Sequence, residues 1–558
     1  MLRLRGFALV LILPLALLLA LSAHAQKNSK TPKEESCSVS GIVVKMADSA
    51  PLRKAKLVLK SVDDPHRTVG AVTNAEGHFA VKDVEPGPYR LTVTRVGFVA
   101  AEYGQRKPDA PGAVLMLHAG QELKDLQFRL IPAGVIAGKI YDDDGEPLPS
   151  VQVSAVRQVY SEGKRSRASA SFAATNDLGE YRLFGLAPGR YFVSCVYPRW
   201  NRGDPDDETI DTQEEGYAKL YYPGTPDVAK AGPITIKAGE EVSSIDVLMR
   251  KVPVHQVRGN VYNQITHKPG AGVVLILLPK ANNHEWDYAD SSEVQKSDGS
   301  FAIPEVLPGS YTLISLWFDE EISHLNRQAI DVGDADVEGL AVTVSPGTNV
   351  SGHIVWEGRP ALEKDELTVT PQAVDVPVGM RGQSRVGRDN LFTLKGLGEG
   401  TYRVDMMGMS KDSYIKDMHY GEASVLKDGF TVTRGEAGSL EIVLSSRGAR
   451  VEGTVMDSDG LPQAGLSVVL VPDLSQRENS RKYKTGSTDQ YGHFDLRGIA
   501  PGDYKLFSWV EVETGAWEDP EFLRPFEEKG QRITLQDGDH SSVKVTAIQN
   551  KVLESSKL

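Results

Sequence analysis

Asn74-Ala-Glu-Gly77-His-Phe79, followed by Pro86-Gly87-Pro-Tyr89, is the stretch that decides the fold, because the chain writes it five times. The second copy reads Asp177-Leu-Gly179-Glu-Tyr181 and Pro188-Gly189-Arg-Tyr191; the third reads Asp298-Gly299-Ser-Phe301 and Pro308-Gly309-Ser-Tyr311. The fifth is Asp489-Gln-Tyr-Gly492-His-Phe494 with Pro501-Gly502-Asp-Tyr504. The fourth is degenerate, Asp389-Asn390-Leu-Phe392 with Gly398-Glu-Gly400-Thr-Tyr402. The two aromatics stand ten positions apart in every copy, and a spacing held five times is a structural repeat. Asn or Asp followed by Gly is hairpin-turn chemistry, since Gly takes φ > 0 where strands reverse. A short alternating strand follows, and the Pro-Gly pair predicts a type II turn. The next strand alternates again, with Tyr89, Leu91 and Val93 on one face and Arg90, Thr92 and Thr94 on the other. In the fourth copy Asn390 is the candidate left-handed residue and Gly400 the substitute for Pro-Gly, with a looser turn.

Working outward, a strand carrying a glycine precedes each first aromatic by about 40 residues: Gly41-Ile-Val-Val44, Gly138-Lys-Ile140, Gly259-Asn-Val261, Gly352-His-Ile354 and Gly453-Thr-Val455. An alternating strand closes each repeat, starting at Leu126, Ile245, Leu340, Leu440 and Val543. Many short strands with regular turn signals predict an all-β chain. The expected architecture is five tandem Ig-like or transthyretin-like β-sandwiches of about seven antiparallel strands each. The boundaries read as signal peptide 1–25, disordered tether 26–36, repeats at 37–131, 132–252, 253–345, 346–446 and 447–548, and tail 549–558. Short, Pro-bearing joints such as Ile131-Pro132 and Val252-Pro253 predict a semi-rigid row of beads.

The phrase "turn-Gly-x-Phe … Pro-Gly-x-Tyr" resembles the carboxypeptidase regulatory-like domain, and Val96-Gly97-Phe98 resembles the Gly-aromatic step of that family. The resemblance extends over nearly all of the mature chain, with copies one, two and five closest. It implies a transthyretin-like sandwich of seven strands within a wider group of carbohydrate-binding-like folds. Its motif is structural, so it speaks for fold far more than for function.

Met1 to Ala25 has the parts of a secretory signal: Arg3 and Arg5, an apolar run from Phe7 to Leu21, and Ala23-His24-Ala25 at the cleavage point. The run is short of the roughly 20 residues of a membrane helix. The expected protein is therefore exported to periplasm, cell surface or medium, and is not an integral membrane protein once processed. The net charge of −13 becomes about −15 without Arg3 and Arg5, a poor match to nucleic acid or anionic membranes. Two cysteines, Cys37 and Cys195, make no disulfide framework, and free thiols are expected.

Catalytic chemistry leaves no mark. Of the twelve histidines only His419 begins a His-x-x-Glu spacing, His419-Tyr-Gly-Glu422, and neither His-Glu-x-x-His nor Gly-x-Ser-x-Gly occurs. No catalytic residue, metal site or cofactor is expected. Asp142-Asp143-Asp144-Gly145 and Asp457-Ser458-Asp459-Gly460 lack the remaining ligands of a calcium loop; they read as hairpin turns, with weak calcium binding as the alternative. Aromatics outside the phrase are the candidate ligand-binding residues, because flat rings stack on sugar faces. They are Trp200, Tyr217, Tyr221 and Tyr222 in the second repeat, Trp286 and Tyr288 in the third, and Trp509 and Trp517 in the fifth. The competing reading makes each ring core or joint packing, and Trp317, in phase with Tyr311 and Leu313, is read as core. The function expected is a non-catalytic binding protein of the cell envelope, holding polysaccharide or another surface polymer, with repeated weak sites acting by avidity. The alternatives are a scaffold contacting an envelope protein and a hydrolase with an unrecognised site.

Overall fold

The structure, a computed structural model, describes residues 36–197, 215–280, 290–319, 322–359, 366–376, 382–435 and 438–549. Residues 1–35 and 550–558, where the signal, tether and tail are expected, lie outside them. Five separate hydrophobic cores, each between two sheets, divide the described chain into five modules. In the first, Cys37–Lys45 is the central strand of one sheet, flanked by His78–Val84 and Glu122–Leu130. The facing sheet runs Thr68–Val72, Lys56–Ser61, Gly87–Thr94, with Leu115–Leu117 also on Gly87–Thr94.

Glycine in the first strand is a packing requirement. Gly41, Gly138, Gly259, Gly352 and Gly453 lie directly across from Phe79, Tyr181, Phe301, Phe392 and Phe494. A Cβ on Gly41 would stand 2.0 Å from the Leu126 carbonyl oxygen, and one on Gly259 would stand 1.9 Å from that of Leu340. The backbone of the closing strand fills the space a side chain would need.

That closing strand corrects the expectation of antiparallel strands throughout. In every module the last strand runs parallel to the first: Glu122–Leu130 on Cys37–Lys45, Val247–Leu248 on Gly134–Tyr141, Val337–Val344 on His255–Asn263, Ser439–Ser445 on Thr348–Glu357, and His540–Thr546 on Ala449–Met456. The chain leaves the first sheet, builds the second and then crosses back, and a crossover return brings the strand in parallel.

The Pro-Gly pair also departs from a type II turn. Gly87, Gly400 and Gly502 have φ of 142°, 142° and 152°, far from the +80° of that turn, and each opens the following strand. The corner is tied by the tyrosine two residues on. The hydroxyls of Tyr89, Tyr191, Tyr311, Tyr402 and Tyr504 donate to the carbonyls of Glu85, Ala187, Leu307, Gly398 and Ala500, at 2.8–2.9 Å in all five. The same device, a tyrosine hydroxyl bonded to backbone a few residues upstream, pins corners in other sandwiches.

A β-bulge precedes each corner. The fourth residue after the first aromatic is left-handed in every module: Asp83 (56°), Gly185 (79°), Glu305 (57°), Gly396 (68°) and Gly498 (61°). Each coincides with a register shift that inserts one extra residue opposite the central strand.

The modules do not form a row. The fifth returns to the first, where Val114 and Asp489 make a parallel bridge. The Gln490 side chain accepts from the Met116 amide and donates to the Met116 carbonyl, both at 2.9 Å, as a third strand would. Beyond each sandwich the long hairpin of Gln152–Ser161 and Lys164–Ala174 reaches the fifth module, where Tyr160 meets Phe522 edge-on at 6.5 Å. Arg403 of the fourth module pairs with Glu162 of that hairpin at 3.2 Å. Short joints fix the angle between neighbours, and here the angles close the chain on itself.

Candidate functional site

Ring closure creates a cleft of about 850 Å³ bounded by the first, second and fifth modules. The strand Gly87–Thr94 presents Arg90 to it from the polar face of an alternating strand whose other face carries Tyr89 and Leu91 into the core. Arg90 bonds Glu102 at 3.1 Å, the Gly112 carbonyl at 3.3 Å and the Ser487 hydroxyl of the fifth module at 3.0 Å. Across the cleft Arg157, from the long hairpin, is ion-paired with Asp109. The two cations and two carboxylates therefore balance. Between them the wall is rich in hydroxyls, including Ser169, Thr485, Ser487 and Thr514, and Trp517 closes one side. The indole N–H of Trp517 and the Nε of Arg157 are buried and have no hydrogen-bond partner among the described residues.

The candidate aromatics distribute differently from a stacking platform. Trp509 is 1% exposed, with Phe507 stacked on it at 5.2 Å and Phe526 edge-on at 5.9 Å. Trp517 is 6% exposed in the same cluster. Both are covered by the helical turns Ala516–Glu518, Pro520–Leu523 and Arg524–Lys529, which lay Leu523 and Phe526 over the outer face of the sheet. In the second module Tyr217 and Tyr221 are buried, Tyr217 against Tyr197 at 5.2 Å and Tyr221 under the Lys219 ammonium at 4.6 Å. Tyr222 is half-buried against that core. The four buried rings, Trp509, Trp517, Tyr217 and Tyr221, have too little free face to stack on a sugar. Trp200, Trp286 and Tyr288 lie outside the described residues. Trp317 is half-buried on the third core, tilted against His324 at 5.4 Å.

Of the five candidates among the described residues, Trp517 alone lines the junction cleft. The other cleft residues, Arg90, Glu102, Arg157 and Ser487, belong to no local motif. They meet only because modules distant in sequence dock, so no periodicity points to them.

The acidic turn at Asp142–Gly145 is a hairpin with an Asx turn. One oxygen of Asp142 accepts from the Asp144 and Glu146 amides at 3.0 and 2.9 Å, and the carboxylates of Asp142, Asp143 and Asp144 gather within 4.8 Å of one another. Asp457 repeats the pattern with Asp459 and Leu461, at 2.9 Å each. Cys37 and Cys195 are free and buried, in different modules. Burial raises the Cys195 thiol far above its ordinary pKa. Among the described residues no helix is long and apolar enough to cross a membrane.

Residues 38–130, the first module, match the carboxypeptidase regulatory-like domain. The chain is similar to BOS complex subunit NOMO1 of Mus musculus, 24% identical over 410 residues, which covers 70% of this chain and 29% of that protein. It thus spans under a third of that relative's length. Among solved structures, a streptococcal ancillary pilin is 13% identical with a TM-score of 0.20, covering 56% of this chain and 100% of the pilin. GBS52, a minor pilin of Streptococcus agalactiae, is 14% identical with a TM-score of 0.22, covering 39% and 97%. TM-scores this low give the pilin likeness no weight for function.

Proposed function

We propose that the chain is an exported, non-catalytic, multi-module binding protein of the cell envelope, and that it holds a polysaccharide or similar polyhydroxylated polymer in the cleft between its first, second and fifth modules. The observation that carries this reading is the composition of the cleft. Its charges are internally paired and its remaining polar groups are largely hydroxyls, which suits a neutral ligand rich in hydroxyls better than an ion. Trp517 enters as a wall residue, not as a stacking ring, since it is 6% exposed and its indole N–H is buried.

The test is retention of the mature chain, from Gln26 onward, on a panel of soluble and insoluble glycans. Ser487→Trp fills the cleft and is expected to abolish retention on the glycan class that binds. Retention unchanged by Ser487→Trp but lost on Trp286→Ala with Tyr288→Ala would move the site to those two residues of the third repeat. A second reading, a scaffold within a protein complex, is favoured by one finding: the similar protein from mouse is itself a subunit of a complex. A pull-down from envelope extract that yields a stoichiometric partner, alongside no glycan retention, would select it.

A further inference from the structure

A second pocket, of about 450 Å³, lies where the fourth and fifth modules meet, at the start of the strand Lys484–Ser487 whose later residues line the junction cleft. Its apolar side is built by Met409, Ile415 and Leu426 of the fourth module and Pro501 of the fifth. Its polar side is cationic: Arg481, Lys482 and Lys484. In a chain of net charge −13, three clustered cations normally find carboxylates. Here they largely do not. Arg481 donates to the Val404 carbonyl, and Asp405 stands 4.0 Å away. The Lys484 side chain has no hydrogen bond and no ion pair among the described residues. Lys416, at the rim, is already paired with Glu357 at 2.6 Å.

A lysine ordinarily carries its ammonium out to water along its flexible stem. Holding it in a half-buried apolar pocket without an anion is unfavourable, and the protein would be more stable with an apolar residue there. Burial accordingly pushes the Lys484 ammonium below its usual range, and no carboxylate offsets the effect. Charged groups perturbed by desolvation in a cleft concentrate at functional sites, and an anion is the ligand that would relieve this one.

We propose that this pocket binds a small organic carboxylate with an apolar body. The carboxylate lies against Lys484 and Arg481, and the alkyl or aryl part lies against Met409, Ile415 and Leu426. The volume sits at the lower end of the range for small-molecule sites, about 300–1,000 Å³, so the ligand is small. The mixed wall excludes a purely inorganic anion as the best fit, because half the pocket would stay unfilled and apolar.

Octanoate, titrated calorimetrically into the mature chain, is the probe. Saturable binding is expected, with octanol at the same concentration giving none. Lys484→Met keeps the apolar stem and removes the charge; it should weaken octanoate at least tenfold and raise the Tm of the ligand-free protein. Lys484→Arg should retain binding. Arg481→Gln provides an independent variant with a smaller loss. The proposal is overturned if octanoate shows no saturable binding, if Lys484→Met binds it undiminished, or if octanol binds equally well. Glycan retention is unaffected by these variants, so the two sites succeed or fail separately.

Discussion

The first module turns its hairpin on Asn74-Ala-Glu-Gly77, the fourth on Gly387-Arg-Asp-Asn390, and the two share no residue in that stretch. Their hydrogen bonds nevertheless coincide. Gly77 donates to the Asn74 carbonyl at 3.2 Å, and Asn390 to that of Gly387 at 2.9 Å. The carbonyl of each accepts from the central strand, from Val43 and Ile354, at 2.9 Å. Gly77 has φ of 78° and Asn390 of 64°, so Asn390 does take the left-handed position, and the fourth turn is no looser than the first. Gly87 and Gly400 share φ of 142°, with or without a proline before them. What the modules hold in common is a set of backbone states at fixed spacing. Several residue types can occupy each state, at different energies.

That difference can be broken or sharpened by substitution. The largest effect is expected at the central glycines. Gly41→Ala places a Cβ 2.0 Å from the Leu126 carbonyl oxygen, whereas the Cβ of Gly352→Ala stands farther from the corresponding backbone, 2.6 Å from the Leu440 carbonyl oxygen, and 2.2 Å from the Phe392 ring edge. We expect more than about 3 kcal/mol of destabilisation in the first module and about 1–3 kcal/mol in the fourth, read by denaturant unfolding with module-resolved hydrogen exchange. Equal losses would mean that the fourth module is as rigidly packed as the first. At the turns, Gly77→Ala should cost more than about 2 kcal/mol, since its Cβ would also stand 2.7 Å from the Val43 carbonyl oxygen, while Asn390→Gly should stabilise the fourth module by up to about 1 kcal/mol. A loss on Asn390→Gly would show that the asparagine side chain contributes more than its backbone conformation. The smallest effect is the corner hydroxyl. Tyr89→Phe and Tyr402→Phe should each cost about 1 kcal/mol, and the same amount, since the bond is 2.9 Å in both.

Most of the sandwich is legible in the sequence because its signals are local. The ten-residue spacing of Phe79 and Tyr89, the alternation through Val93 and the glycine of each first strand mark strands, turns and core face. The bulge escapes that reading because its left-handed position carries Asp83 or Glu305 in two modules and glycine in the other three. Parallel pairing of first and last strands escapes it because alternation shows which face a strand buries, not the direction of its neighbour. The same limit applies to the aromatics. The phase of Trp509 puts it opposite Tyr504, on the outer face, but nothing in that phase tells whether the segment around Phe522 and Phe526 folds over it. The junction cleft is least legible, for its closing contact joins Met116 to Gln490 across 374 residues.

Closure of the first module onto the fifth is therefore the claim on which the cleft depends. The most direct measurement is thiol cross-linking of the Met116→Cys, Gln490→Cys double variant, followed by mass spectrometry of the monomer. Native Cys37 and Cys195 are 1% and 0% exposed and should stay silent in the folded protein. Closure predicts a rapid intramolecular cross-link between the two engineered positions, at a rate independent of protein concentration. A monomer with no such cross-link, or one that forms only between molecules as concentration rises, would show an open row of modules and remove the cleft with it.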